Sequence, residues 1–469
     1  MMNEKWIKQS LMLLSAGTLL TACGDNGNAT EVEDNNDAAV ESSDQNETVH
    51  MLTAVTGGKD EEGMRVFEEA LAELTGYPIE MEKPSSDYNT VLLQKLRAGG
   101  EGLDLIYFDQ SQMYDLIEQG ALLDITEYVE GSDILANNIE QEEWDAIEVD
   151  GRYYAGFNKQ EVHRVVNINE SLLREYDLEL EDESLEGYYN LFVELRDNVE
   201  DANFYPLNAV MSDIWDLQPW MASEGLQYGI VYDEEGNATV PYASDESVVV
   251  WEWLAQLYEE DLLDPSTLTD TSTDMRNKFQ SGQTGVVVDW IAWTGLYNAN
   301  AGDSYPDEFE AVAYGGVLNP DNEYMLSRGG ASLWGIPATS DNVDGAISVL
   351  ETFATQEGGE LLSVGVEGYA YEITNGEFTH TEAGELANND HGAPFPIYKN
   401  FELPTDYNPG VESGLDLIDY AIVPSTGTET NEKQQIVAQQ ALMIIQGDIS
   451  AEEGVSNMQD QLKANGIID

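Results

Sequence analysis

The sequence contains one cysteine, four histidines and only 18 lysines and arginines in 469 residues. A single cysteine excludes an internal disulfide and any zinc site built from several thiolates. His50, His163, His380 and His391 are scattered, without the HxxxH spacing that puts two ligands on one helical face. No metal and no cofactor is therefore expected. GxSxG, the phosphate-binding P-loop and HExxH are all missing. A glycosidase pair cannot be inferred either, because 91 Asp and Glu guarantee chance carboxylate pairs. The shortage of cations leaves a formal charge of −73. Such a surface repels nucleic acid phosphates and anionic lipid headgroups, so neither is an expected partner. The apolar run "LMLLSAGTLL" (11–20) is ten residues, where a membrane span needs about 20.

What is present is a chain able to fold. Hydrophobic residues make up 42%, with nine Trp and 24 Tyr, enough for a substantial core. The acidic residues run the whole length, with no separate acidic tail. A whole-surface excess of carboxylates suits a salty or alkaline exterior, where salt screens their repulsion. A merely acidic secreted protein is the alternative, and composition does not separate the two.

Lys5 and Lys8 precede the short apolar run, the arrangement of a signal peptide. It ends in Leu20-Thr21-Ala22-Cys23, which resembles the lipobox of bacterial lipoproteins. That resemblance implies cleavage after residue 22 and lipid attachment to Cys23. The alternative is an ordinary cleaved signal with an incidental cysteine. Acyl chains add about 0.8 kcal/mol per buried CH₂, so two of them anchor a protein stably. Residues 23–47 are rich in Asn, Asp, Glu and Ser and read as an acidic flexible tether.

From residue 48 strands and helices alternate. "VHMLTAVTGG" reads as a buried strand ending in a glycine turn. In "DEEGMRVFEEALAELTG", Met64, Phe67, Leu71 and Leu74 share one helical face, and Gly76 stops the helix. "YPIEMEK", "YNTVLLQKLRAGG", "LDLIYFD" and "QSQMYDLIEQGALLDIT" continue the alternation. The fold class this predicts is α/β, with a parallel sheet flanked by helices. Ligands of such sheets bind beyond the carboxyl ends of the strands, here Thr56–Lys59 and Asp109–Gln112.

"VDGRYYAGFN" followed by "VVNINESLLREYDL" resembles the crossover of extracellular solute-binding proteins of ABC importers, the maltose-binding-protein-like family. "MRNKFQSGQTGVVVDWIAWTGLY", "SRGGASLWGIPATSDNVDGAISVLETFATQEGGELLSVGVEG" and "ALMIIQGDISAEEGVSNMQDQLKANGI" resemble later segments of that family, in family order. The resemblance implies a two-lobed periplasmic-binding-protein-like fold of type II, with crossover hinge strands and a ligand between the lobes. Lobe 1 is expected at 48–158 and 325–366, lobe 2 at 159–324 and 367–469. The implied partners are a carbohydrate ligand and ABC permease subunits with a cytoplasmic ATPase, and a monomer that meets the membrane only through its lipid anchor. Some relatives hold calcium in an Asp-rich loop; "DNVEDANFYPLN" lacks the full pattern, and "DEEGN" (233–237) reads better as a hairpin turn.

Sugars present hydroxyl edges and apolar faces, matched by polar side chains and flat rings. Trp290 and Trp293 follow the apolar strand "TGVVVD", where the family commonly places a stacking aromatic; their spacing also fits one buried helical face. Trp215 and Trp220 suit the cleft or the core equally. Tyr369 and Tyr371 fall near the second crossover. Asp109 and Asp289 end strands, where an Asp serves a ligand or caps the next helix. Arg328 precedes Gly329-Gly330 and could fork onto a ligand carboxylate, or pair with one of the many acids. An oligosaccharide is the expected ligand, a uronic-acid-containing one if Arg328 lines the site. A surface enzyme acting on polysaccharide, or a sensor unconnected with transport, are the other readings.

Overall fold

The computed structural model describes residues 46–468, apart from 86, 101, 161, 212–213, 233–236, 301–308, 392–394 and 423–429, and apart from the side chains of 215, 388–391 and 430–431. Cys23, the signal segment and nearly all of the tether lie outside the described residues, as does most of "DEEGN". Strands Val231–Tyr232 and Ala238–Thr239 on either side of that turn pair antiparallel.

The first sheet has the order β2-β1-β3-β9-β4, with β1 Val49–Leu52, β2 Ile79–Glu82, β3 Leu105–Asp109, β4 Ala155–Lys159 and β9 Ser332–Gly335. β1 pairs parallel with β2 and β3, whereas β9 runs antiparallel between β3 and β4. Helix α1 (Glu61–Thr75) shows why the alternation is regular. Asp60 caps it by accepting from the Gly63 N–H at 2.8 Å, and Glu61 and Glu62 complement the dipole of the first turn. Phe67 and Leu71 are buried on its inner face, worth about 2 kcal/mol each. Gly76 ends it at φ 76°, a left-handed conformation open to glycine. Helices α2 (Tyr88–Arg97) and α3 (Gln110–Glu118) complete the β-α repeat.

The second sheet has the order β8-β5-β7-β6, with β5 Arg164–Asn169, β6 Tyr205–Asn208, β7 Thr284–Trp290 and β8 Ala311–Tyr314. β7 is buried from Thr284 to Asp289 and emerges only at Trp290. An aromatic knot of Tyr188, Phe192, Trp220 and Trp253 packs behind it; Tyr188 and Trp220 meet edge to face at 4.9 Å.

Each sheet has its own hydrophobic core. The core of the first draws on residues between Val49 and Phe157, then between Ala331 and Leu361, and on Ile397. The chain passes between the sheets after β4, by Gln160 and Val162–His163, and again at 328–331. The passages touch: Gly329 N–H donates to Val162 O at 3.2 Å, and His163 and Arg328 form a bridge. Gln160 N–H also donates to Phe395 O at 2.7 Å.

Candidate functional site

A cavity of about 690 Å³ opens where the carboxyl ends of β1, β3 and β4 face that of β7. The loop after β1 supplies Val55–Asp60, β3 and its following turn supply Asp109–Ser111, and β4 supplies Asn158 and Lys159. From the second sheet come Trp290 and Trp293, with Arg276 from α4 (Ser272–Gln280). Trp293 lies on α5 (Ile291–Asn300). The hairpin Tyr371–Thr374 with Glu377–His380 and helix α6 (Glu382–His391) add His380, Ala383 and Leu386 as a further wall.

The loop after β1 is held by close approach and by a buried polar chain. A side chain at Gly58 would meet the backbone of Gly63 at 2.0 Å, so only glycine lets the loop pass the first turn of α1. The Thr56 hydroxyl donates to Asn158 Oδ1 at 2.7 Å, and the Trp334 indole N–H donates to the same oxygen at 3.0 Å. Trp334 is fully buried and has its one donor satisfied.

Asp109 is the N-cap of α3, and its backbone N–H donates to Gln112 Oε1 at 3.2 Å. Its carboxylate lines the cavity and accepts from the Tyr107 hydroxyl at 3.2 Å. Water reaches it through the cleft mouth, yet protein surrounds it closely, so desolvation pushes its carboxyl above the usual range. The Tyr107 hydroxyl and the Lys159 charge pull the other way.

The two tryptophans are each set by an arginine. The Arg276 guanidinium lies 3.8 Å from the Trp293 ring centroid and forks onto Asp289 at 2.7 and 2.8 Å. Tyr297 OH donates to Asp289 at 2.7 Å, and the Trp290 N–H at 2.9 Å. Arg164 lies 4.3 Å from the Trp290 centroid and is ion-paired with the buried Asp216. One face of each indole is therefore occupied by a cation. Both rings remain partly exposed at the cavity.

Of the residues singled out from sequence, Trp290, Trp293, Asp109, Arg328 and Tyr369 line the cavity. Arg328 also pairs with Glu143 of the first sheet's core region. Asp289 is fully buried behind Trp293. Trp220 is fully buried in the aromatic knot, and Tyr371 is buried against Phe378 at 4.8 Å, so neither reaches the cavity. Trp215 sits in the turn Ile214–Leu217, with its side chain outside the described residues. Sequence reasoning missed Arg276, Lys159, Tyr228 and Gln434, all of which line the cavity. Among so few cations, Arg276 and Lys159 stand out by rarity, and that was the available signal.

The profile of bacterial extracellular solute-binding proteins matches residues 58–360. The chain belongs to this family. Solved solute-binding proteins share its fold. The alginate-binding protein AlgQ2, determined without calcium ion, superposes with a TM-score of 0.70 at 16% identity, over 90% of this chain and 96% of that one. An ABC substrate-binding protein from Listeria monocytogenes in complex with cycloalternan gives 0.67 at 16% identity, over 91% and 100%. Maltose-bound MalE3 of T. maritima gives 0.66 at 14% identity, over 89% and 99%. No curated protein matches the sequence. The solute-binding fold explains the two separate cores, the adjacent passages between them and the cavity at the strand ends. Among the described residues no helix of this solute-binding protein is long and apolar enough to cross a membrane.

Proposed function

We propose that this solute-binding protein captures an oligosaccharide outside the cell and delivers it to the permease of an ABC importer. Lobe closure about the passages after β4 and at 328–331 traps the sugar, and the closed form is what the permease recognises. Cys23 carries the lipid that holds the protein at the membrane, and residues 24–47 act as the leash. The observation that carries the reading is the pair of partly exposed indoles, Trp290 and Trp293, pre-set by Arg164 and Arg276 at the edge of the cavity. Rigid rings match the apolar faces of pyranoses with little loss of conformational freedom. Asp109, Lys159 and Asn158 offer polar atoms for hydroxyl edges. Three solute-binding proteins of the same fold carry alginate, cycloalternan and maltose in their names, which supports a carbohydrate.

A thermal-shift screen against a sugar library in high salt tests this. A ligand at a hundred times its Kd should stabilise the protein by about 2.7 kcal/mol without product formation. Turnover of the same sugar would replace transport by catalysis. Trp290→Ala and Trp293→Ala should each weaken the sugar about tenfold or more and abolish its quenching of tryptophan fluorescence. Unchanged affinity in both variants would remove the rings from the site.

A further inference from the structure

The charge balance of the cavity is the reverse of that of the chain. Overall, acids outnumber cations 91 to 18. Along the cavity wall the cations Lys59, Lys159, Arg276 and Arg328 outnumber the acids Asp60 and Asp109. Arg276 and Arg328 are matched by Asp289 and Glu143 behind the wall. The wall itself therefore presents four cations and two acids, in a chain where acids prevail about five to one.

A second observation comes from the end of the cavity nearest α7 (Thr430–Ile445). Lys433 of that helix is 1% exposed, and among the described residues its Nζ has no hydrogen-bond partner. Its one described neighbour of opposite polarity is the face of the Tyr228 ring, 5.0 Å from Nζ to the centroid. Tyr228 and Gln434 both line the cavity. Lys433 itself does not line the cavity, so its ammonium lies behind the wall that Tyr228 and Gln434 form. A buried charge without a partner is strongly unfavourable, and a ring face offsets only part of that. Burial pulls this ammonium down to about 8. A carboxylate in the fold would have been simple to supply in a chain with 91 of them, and among the described residues none pairs with Lys433.

We infer that the ligand is an acidic saccharide, bearing a carboxylate or sulfate, and that the Tyr228–Gln434 end of the cavity, with the Lys433 charge behind it, reads this group. The inference rests on the carbohydrate reading above and narrows it. It also assigns a role to the cations of the wall: they offset the repulsion that a −73 surface exerts on an incoming anion.

Calorimetric titration of the full chain tests it, with trigalacturonate, trimannuronate and a sulfated carrageenan disaccharide set against maltotriose, cellotriose and xylotriose. At least one acidic probe should bind about tenfold or more tighter than every neutral one, the scale of one nearby unpaired cation in a partly desolvated site. Which acidic probe wins distinguishes carboxylate from sulfate. In Lys433→Met the acidic-to-neutral preference should collapse, whereas Lys433→Arg should retain it. The melting temperature of Lys433→Met should hold or rise, because methionine fills the volume without an unpaired charge. Neutral sugars binding as tightly as acidic ones would overturn the inference and leave the carbohydrate reading standing. A preference that survives Lys433→Met, or a loss of several degrees in its melting temperature, would make the ammonium structural and overturn its assignment. Failure of every saccharide, acidic and neutral, would bring down the carbohydrate reading itself.

Discussion

Asp289→Ala is expected to cost the protein about 3–5 kcal/mol, because it takes the partner from a guanidinium that is only 17% exposed. Asp289 is fully buried and accepts four hydrogen bonds: two from Arg276, one from the Tyr297 hydroxyl and one from the Trp290 N–H. Alanine removes the acceptor for all of them. Arg276→Met should cost a similar amount for the mirror reason, since the Asp289 carboxylate is then buried with only the tyrosine and one backbone donor. The double variant Arg276→Met/Asp289→Leu separates stability from function. Removing both charges together should restore most of the lost stability, since well-packed apolar replacements of buried ion pairs are often neutral. It should still leave the Trp293 ring without its stacked cation, and the ring is then free to leave the orientation that faces the cavity. Denaturant midpoints for the two singles and the double form a cycle whose coupling term reports the pair. A double variant as unstable as either single would mean that Asp289 acts mainly through Tyr297 and the Trp290 backbone. A double variant that binds sugar normally would mean that Arg276 does not position Trp293.

Local periodicity made the first sheet readable, and long-range pairing made the rest hard. The stripe of Phe67 and Leu71 and the apolar run of Leu105–Phe108 declare their own burial, because each depends on one face of one element. β9 is different. Ser332–Gly335 lies antiparallel between β3 and β4, more than 170 residues away in sequence, and no local pattern fixes that register. The tryptophans divide in the same way. Trp220 and Trp290 each have a second tryptophan within five residues, Trp215 and Trp293. Trp220 is closed off by Tyr188 and Trp253, contributed by distant helices, whereas Trp290 is the first residue of β7 to clear the sheet. Strand-end logic found Asp109 and Trp290, since the carboxyl ends of strands are where such folds place ligands. It also drew attention to Asp289, which belongs to the same strand end but points back into protein. Alternation along a strand explains the difference: Asp289 and Trp290 project to opposite faces.

Acidification should weaken the junction between the sheets through His163, by up to about 3 kcal/mol between pH 6.5 and 4. His163 is fully buried in the first passage, beside the second. Its Nε2 lies 3.0 Å from Gly414 O. A carbonyl only accepts, so Nε2 carries the proton and Nδ1 is left bare. Nδ1 has no partner among the described residues. A second proton would therefore sit on a buried, unpaired nitrogen. Desolvation is the largest cause, and the Arg328 charge adds to it; together they outweigh the Gly414 bond and pull the imidazole down to about 4. The sign follows from proton counts. Between the folded value and the ordinary 6.5, the unfolded chain binds a proton at this residue and the folded chain does not. Stability from His163 is thus complete above pH 6.5, declines as pH falls, and is lost below about 4. His163→Gln keeps a donor for Gly414 O and removes the titration. The stability difference between wild type and this variant should therefore slope with pH only inside that window, while carboxylate titration common to both cancels. A flat difference across pH 4–6.5 would mean that water or an anion reaches Nδ1 and that the junction does not hold a neutral imidazole.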